Sequence, residues 1–196
     1  MVVDLLRDTD SLLLIIDVQT DFYAGRDDVN PRVFDGFVER AAWVTGLAEA
    51  FSVPTVVTEE DPDLNGHTVE AIASRLPTDT PRFDKRIFGA ADDDAILSSI
   101  QALDRRTAIL VGMETDVCVA HTAIGLRARG YRVAAVIDAT FAPGQSHQHG
   151  LDRMRGSGIE LISAKALYYE WARTVEASRA FRQAHPDLAS PPGFSL

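Results

Sequence analysis

Continuous apolar runs of strand length, separated by helical patterns, constrain this chain more than any other feature. LLLIID at 12–17 does not alternate between apolar and polar residues, so it reads as a strand buried on both faces. TVVT at 55–58, TAILV at 107–111, RVAAVI at 132–137 and IELI at 159–162 read as further strands, with RFDK at 82–85 as a possible short extended piece. Between them lie an amphipathic helix at 34–51, broken at Val53-Pro54, and a short helix at 68–76 opened by Thr68. A helix at 91–103 carries Asp92, Asp93 and Asp94 in its first turn, where the helix dipole favours acids. Helices at 117–129, closed by Gly130, at 146–156 and, as one long element, at 164–184 complete the pattern. Strands joined by helices predict a three-layer α/β/α fold around a mostly parallel, Rossmann-like sheet of about six strands. In such sheets ligands bind beyond the carboxyl ends of the strands, where strand order reverses. A 3-2-1-4 order would bring Asp17 and Cys118 to one crevice.

The 196 residues predict a single domain spanning 1–196. A net charge of −10 argues against nucleic acid and anionic membrane surfaces as partners. The one cysteine allows no intrachain disulfide, which fits a reducing cytoplasm. The opening MVVDLLRDTDSLLLIID lacks the form of a signal peptide, and no run approaches the ~18 apolar residues of a membrane span.

Cys118 sits where a cysteine becomes a nucleophile. The strand at 107–111 ends at Gly112, a polar turn with Thr115 and Asp116 follows, and a small-residue helical pattern begins at about Val117. In the first turn of a helix, unpaired N–H groups and the helix dipole favour the thiolate. Asp17 ends an apolar run, so burial should raise its pKa. In isolation such an aspartate more often terminates a strand and caps a turn. Lys85, in PRFDKRIFG, is by itself an ordinary surface lysine. Beside Asp17 and Cys118 it would hold the carboxylate and favour the thiolate.

Three segments together, LLLIIDVQTDF (12–22), FDKRIFGA (83–90) and GMETDVCVAHTAIGLRARGYRVAAVIDAT (112–140), resemble the isochorismatase-like cysteine hydrolases, which include nicotinamidases, carbamoylsarcosine amidases and ureidoacrylate amidases. The third segment, with its TDVCV core, is the most specific. The resemblance implies an Asp17, Lys85, Cys118 triad and a non-proline cis peptide between Met113 and Glu114. It implies an oxyanion hole built from the backbone N–H groups of Glu114 and Cys118. It further implies amide hydrolysis of a small molecule through a thioester, no cofactor, and assembly as a homo-oligomer, dimer or tetramer. Vinyl ether hydrolysis of an isochorismate-like substrate and an inactive binding domain of the same fold are the alternatives.

The chain departs from the family in places. Many nicotinamidases carry an Asp-x-His metal element after the second strand. TEEDPDLNGHTVE (58–70) has Asp61 and His67 but no Asp-x-His, so no metal is expected. Glu59 and Glu60 read as a solvated loop, with a pocket-facing position as the other possibility. The aromatic that often follows the lysine segment is replaced by Gly89, Ala90 and Ala91. The pocket wall then falls to Phe22, Tyr23, Phe88 and Thr115, though the aromatics are equally good core residues. His121, one turn beyond Cys118, offers a Cys-His dyad but more naturally a packing role. His147 and His149 read as solvent-exposed, or as part of a segment covering the site. Asp116 would cap the helix at Cys118, and Asp138 would end the strand at 132–137 in a structural role.

Overall fold

A computed structural model describes residues 4–196; residues 1–3, the start of the 1–196 domain reading, lie outside the described residues. In chain order the elements are β1 (Ser11–Ile16), α1 (Pro31–Ala50), β2 (Thr55–Glu60), the single turns α2 (Pro62–Asn65) and α3 (Glu70–Ala73), β3 (Arg82–Lys85), α4 (Asp94–Ala102), β4 (Thr107–Met113), α5 (Ala120–Ala128), β5 (Arg132–Phe141), α6 (Ser146–Gly156), β6 (Glu160–Ile162), α7 (Ala164–Ala172) and α8 (Val175–Ala184). The six strands form one sheet in the order β3-β2-β1-β4-β5-β6, and every pairing is parallel.

Every residue of β1 and of β4 is buried, as continuous apolar runs require between two helical layers. Alternate side chains serve opposite layers. Leu13 and Ile15 join Phe37, Leu47, Leu167 and Phe181 on the α1, α7 and α8 side. Leu12, Leu14 and Ile16 join Ile96, Ile100, Ala123 and Met154 on the α4, α5 and α6 side. No helix among the described residues is long and apolar enough to cross a membrane.

Local chemistry moves several boundaries. Asn30 caps α1 through its side chain and Pro31 occupies the first turn, so the helix begins before residue 34. The element expected at 68–76 shrinks to one turn because Thr68 does not open a helix; its N–H donates to Glu59 Oε1 at 2.8 Å. Asp93 caps α4 by accepting from Ala95 and Ile96, leaving Ala90–Asp92 as a separate 3-10 turn. The helix expected at 164–184 is two helices. Arg173 adopts φ 66, and Thr174 Oγ1 accepts the Ala177 N–H at 3.0 Å to start α8. Tyr168, Trp171 and Phe181 all face the chain's own core. β5 runs on to Phe141 with an irregularity in its pairing to β4. Asp138 therefore lies inside that strand, where its Oδ1 accepts the Ala164 N–H at 2.8 Å.

The carboxyl ends of β1 and β4 approach closely because of one residue. Gly112 pairs with Ile16 at φ +130, and a Cβ there would lie 2.0 Å from the Ile16 carbonyl oxygen. Only glycine fits this position. The close approach sets Asp17, which follows β1, beside the turn that follows β4.

Candidate active site

Asp17 stands immediately after β1 at φ 55. Its N–H donates to the Thr58 carbonyl at 3.0 Å, and Thr58 Oγ1 donates to Asp17 Oδ1 at 2.7 Å. Lys85 ends β3, two strands away from β1. Lys85 Nζ lies 2.7 Å from Asp17 Oδ2, with neither side chain exposed. The same ammonium lies 3.6 Å from Cys118 Sγ and 3.4 Å from Glu60 Oε2. The fold therefore gathers Asp17, Lys85 and Cys118 into one buried cluster.

Cys118 is not in the first turn of an α-helix. The Met113–Glu114 peptide is cis, and Thr115–Val119 forms a π-helical turn before α5 begins at Ala120. The Glu114 carbonyl accepts the N–H groups of Val117 at 3.2 Å and Val119 at 3.1 Å, which fastens this wider turn. Gly150 lets α6 pack on it, since a Cβ would sit 2.7 Å from the Asp116 nitrogen. Asp116 does not act as a cap; its Oδ1 is buried without a hydrogen-bond partner among the described residues.

The electrostatics of the cluster oppose the thiolate that a helix N-terminus and a neighbouring ammonium would favour. Burial, reinforced by the charge of Asp17, pushes the Cys118 thiol well above its usual range, and the opposing pull of Lys85 does not compensate. Both effects favour the thiol over the thiolate. Burial also raises Asp17 above the ordinary carboxylate value, against the pull of Lys85 and the Thr58 hydroxyl. Burial, the largest single influence on Lys85, would lower it, but Asp17, Cys118 and Glu60 together outweigh burial and raise it, which favours the charged ammonium.

Glu59 and Glu60 are not a solvated loop, because β2 continues through both. Glu59 is buried, with its carboxylate on Thr68 and on His67 Nδ1 at 2.9 Å. Glu60 reaches into the cluster, where Cys118 Sγ donates to its Oε2 at 3.1 Å. The strand's own parity carries this signal. Thr58 and Glu60 share a face with Val56, which packs in the same layer as Cys118. Asp17, Glu60 and Cys118 converge as a metal site might, but the Lys85 ammonium already stands within 3.6 Å of all three. A second cation there would meet that charge head-on.

The remaining candidates scatter around the cluster. Tyr23 donates its hydroxyl to Glu114 Oε1 at 3.1 Å, and Arg26 stands 3.6 Å from the same oxygen. Phe22 packs edge-on against Tyr23 in an aromatic group with Phe34, Phe37 and Phe141. Phe88 is exposed and lies against His121, centroids 6.4 Å apart. His121 makes no hydrogen bond to Cys118 among the described residues, which leaves the dyad unsupported. Thr115 is buried and hydrogen-bonded to His147 Nδ1 at 2.9 Å. His147 is therefore not solvent-exposed, whereas His149 is.

The Isochorismatase domain profile matches residues 11–166, and the chain belongs to the isochorismatase family of hydrolases. It is similar to isochorismatase domain-containing protein 2 of Bos taurus, 31% identical over 162 residues, covering 82% of this chain and 74% of that one. The probable hydrolase YcaC of Escherichia coli (strain K12) is 26% identical over 186 residues, covering 91% and 88%. The YcaC structure, described as an octameric hydrolase of unknown specificity, superposes with a TM-score of 0.81 over 94% of this chain and 92% of its own, at 24% identity. The MAR1 ribonuclease of Caenorhabditis elegans superposes with a TM-score of 0.82 over 98% of each chain, at 25% identity.

Proposed function

We propose that this chain is a cysteine-dependent hydrolase that cleaves an amide-type C–N bond of a small molecule through a thioester, with Asp17, Lys85 and Cys118 as its catalytic residues. The observation that carries this reading is the buried contact set around one ammonium: 2.7 Å to the Asp17 carboxylate and 3.6 Å to the only sulfhydryl. An acid, a base-holding cation and a nucleophile within reach of one another are what acyl transfer requires.

In this reading the thiol proton passes to Asp17 as the sulfur bonds to the carbonyl carbon. The N–H groups of Glu114 and Cys118 hold the resulting oxyanion; removing one such donor typically costs ~10²–10³ in rate. The C–N bond breaks as Asp17 returns its proton to the leaving nitrogen. Water then attacks the thioester and gives one proton to Asp17. The C–S bond breaks, Asp17 reprotonates the sulfur, and the acid departs. Because burial disfavours a free thiolate, proton transfer and attack are coupled in this reading. Lys85 stabilises Asp17 throughout. The vinyl ether alternative suits this surface less well. Isochorismate carries two carboxylates, and an anion entering here meets Glu60 and Glu114.

We further infer one domain over 1–196, a reducing cytoplasmic setting suited to its single free thiol, and a homo-oligomer, as YcaC is octameric. A polyanion such as RNA does not suit a chain of net charge −10. The test is ammonia release from a panel of small primary amides by the wild-type chain, Cys118→Ala and Asp17→Asn, with intact-mass detection of an acyl adduct. Turnover and a Cys118 adduct in the wild type, both lost in Cys118→Ala, are expected. Full activity in Cys118→Ala refutes covalent catalysis.

A further inference from the structure

Glu60 is a second carboxylate in the cluster for which the proposed reaction assigns no step. Its position is built rather than incidental. The buried carboxamide of Gln19 clamps its backbone from both sides: Glu60 N–H donates to Gln19 Oε1 at 2.7 Å, and Gln19 Nε2 donates to the Glu60 carbonyl at 3.0 Å. Asn65 Nδ2 donates to the same carbonyl at 2.8 Å. The side chain thus held puts one oxygen, Oε2, on both Cys118 Sγ and Lys85 Nζ. Its other oxygen makes no hydrogen bond among the described residues, and the side chain keeps 20% of its surface exposed. Asp17 and Lys85 keep none. Glu60 is therefore the member of the cluster that an incoming molecule meets.

We propose that Glu60 is the specificity-determining residue of this site, selecting a substrate that carries a positive charge or an N–H donor beside the reacting carbonyl and rejecting anionic ones. The proposal rests on the reading of Cys118 as the nucleophile of an amide hydrolase. A carboxylate only accepts hydrogen bonds, so its free oxygen fits an ammonium, amidinium or ureido N–H group. Around the sulfur two carboxylates face one ammonium, so an added anion is repelled and an added cation restores balance.

The test uses the full chain and its one cysteine. Cys118 is alkylated with neutral iodoacetamide, anionic iodoacetate and cationic 2-bromoethylammonium, and the rates are read by intact mass against N-acetylcysteine amide. Relative to that free thiol, the wild-type protein should favour the cationic over the anionic reagent by at least about tenfold. Glu60→Gln should lose most of this preference, and Glu60→Lys should reverse it. A wild-type ratio equal to that of the free thiol overturns the proposal without recourse to any variant, as does a ratio unchanged in a folded Glu60→Gln. The amide panel separates the two inferences. Charge selection at the sulfur with no ammonia release removes the amidase assignment and leaves Glu60 its role; ammonia release without charge selection does the reverse.

Discussion

Lys85→Met removes the ammonium from the centre of the cluster while keeping an apolar stem of similar length. Asp17 then faces burial alone, with neither side chain of the former pair exposed. At 2.7 Å and an effective dielectric constant of ~20, the lost attraction is ~6 kcal/mol before desolvation is set against it. Removing one partner of a buried pair typically costs ~3–5 kcal/mol net. For a chain of this size that corresponds to a fall in Tm of roughly 6–20 °C at neutral pH. The deficit should depend on pH in a defined direction. Asp17 already lies above its ordinary value of 3.8 through burial, and loss of Lys85 moves it further up. The folded variant then holds a proton that the unfolded chain releases, so its stability falls as pH rises from the unfolded value through the folded one, then levels. Thermal melts of variant and wild type across this range should show a difference that is full at pH 7 and shrinks on acidification. Asp17→Asn with Lys85→Met, which buries no charge, should recover much of the loss. A Lys85→Met Tm within ~2 °C of wild type at pH 7, or a deficit that ignores pH, would refute the view that this buried pair anchors the site.

Three further outcomes follow from named contacts. Gly112→Ala drives a Cβ into the Ile16 carbonyl at 2.0 Å and should cost more than ~4 kcal/mol, read as loss of cooperative unfolding or of soluble yield. Thr174→Ala removes the side-chain cap of α8 and should cost ~1 kcal/mol by urea titration; no change would mean that α8 is held by packing alone. If Asp17 accepts the thiol proton, the acid limb of kcat/KM for amide hydrolysis should lie above 3.8, the ordinary carboxylate value, because burial raises this group. A limb at or below it would point to another base.

The sheet was legible because its central strands are buried on both faces, and nothing but a continuous apolar run satisfies that environment. Boundaries were less legible wherever a polar side chain is satisfied by a distant partner. Glu59 and Glu60 look like the start of a loop until Thr68, His67, Gln19 and Lys85 are brought to them by residues far along the chain. Thr68 reads as a helix opener, yet its hydrogen bonds go to Glu59. The break at Arg173 and Thr174 was foreshadowed only by a threonine that can cap, inside an otherwise helical pattern. In the site, Asp17 and Cys118 follow from strand ends and an expected strand order. Lys85 emerges from the family resemblance alone, since a lysine on a short edge strand has no local mark of burial. The sulfur's preference for its proton was not legible at all; it is set first by burial and then by the two carboxylates around it, Asp17 ahead of Glu60.

That count bears on how the nucleophile is switched on. A thiolate would form in a buried site against the carboxylates of Asp17 and Glu60, with the Lys85 ammonium in reach of all three, and burial with Asp17 favours the neutral thiol. A donor arriving on Glu60 withdraws that carboxylate from the sulfur. Asp17 is then the remaining acceptor for the proton, and Lys85, 3.6 Å from the sulfur, is the cation beside the anion that forms. Recognition and activation would thus be one event at one side chain. If so, Glu60→Gln should unmask the sulfur in the absence of any substrate. The variant keeps the shape of the side chain and removes its charge, so Cys118 should titrate at lower pH and react with neutral iodoacetamide about tenfold faster than wild type near pH 8. The pH dependence of that alkylation rate, followed by intact mass, measures the shift directly. A Glu60→Gln profile superimposable on the wild type would mean that burial and Asp17 alone hold the proton on sulfur, and that Glu60 has no part in its release.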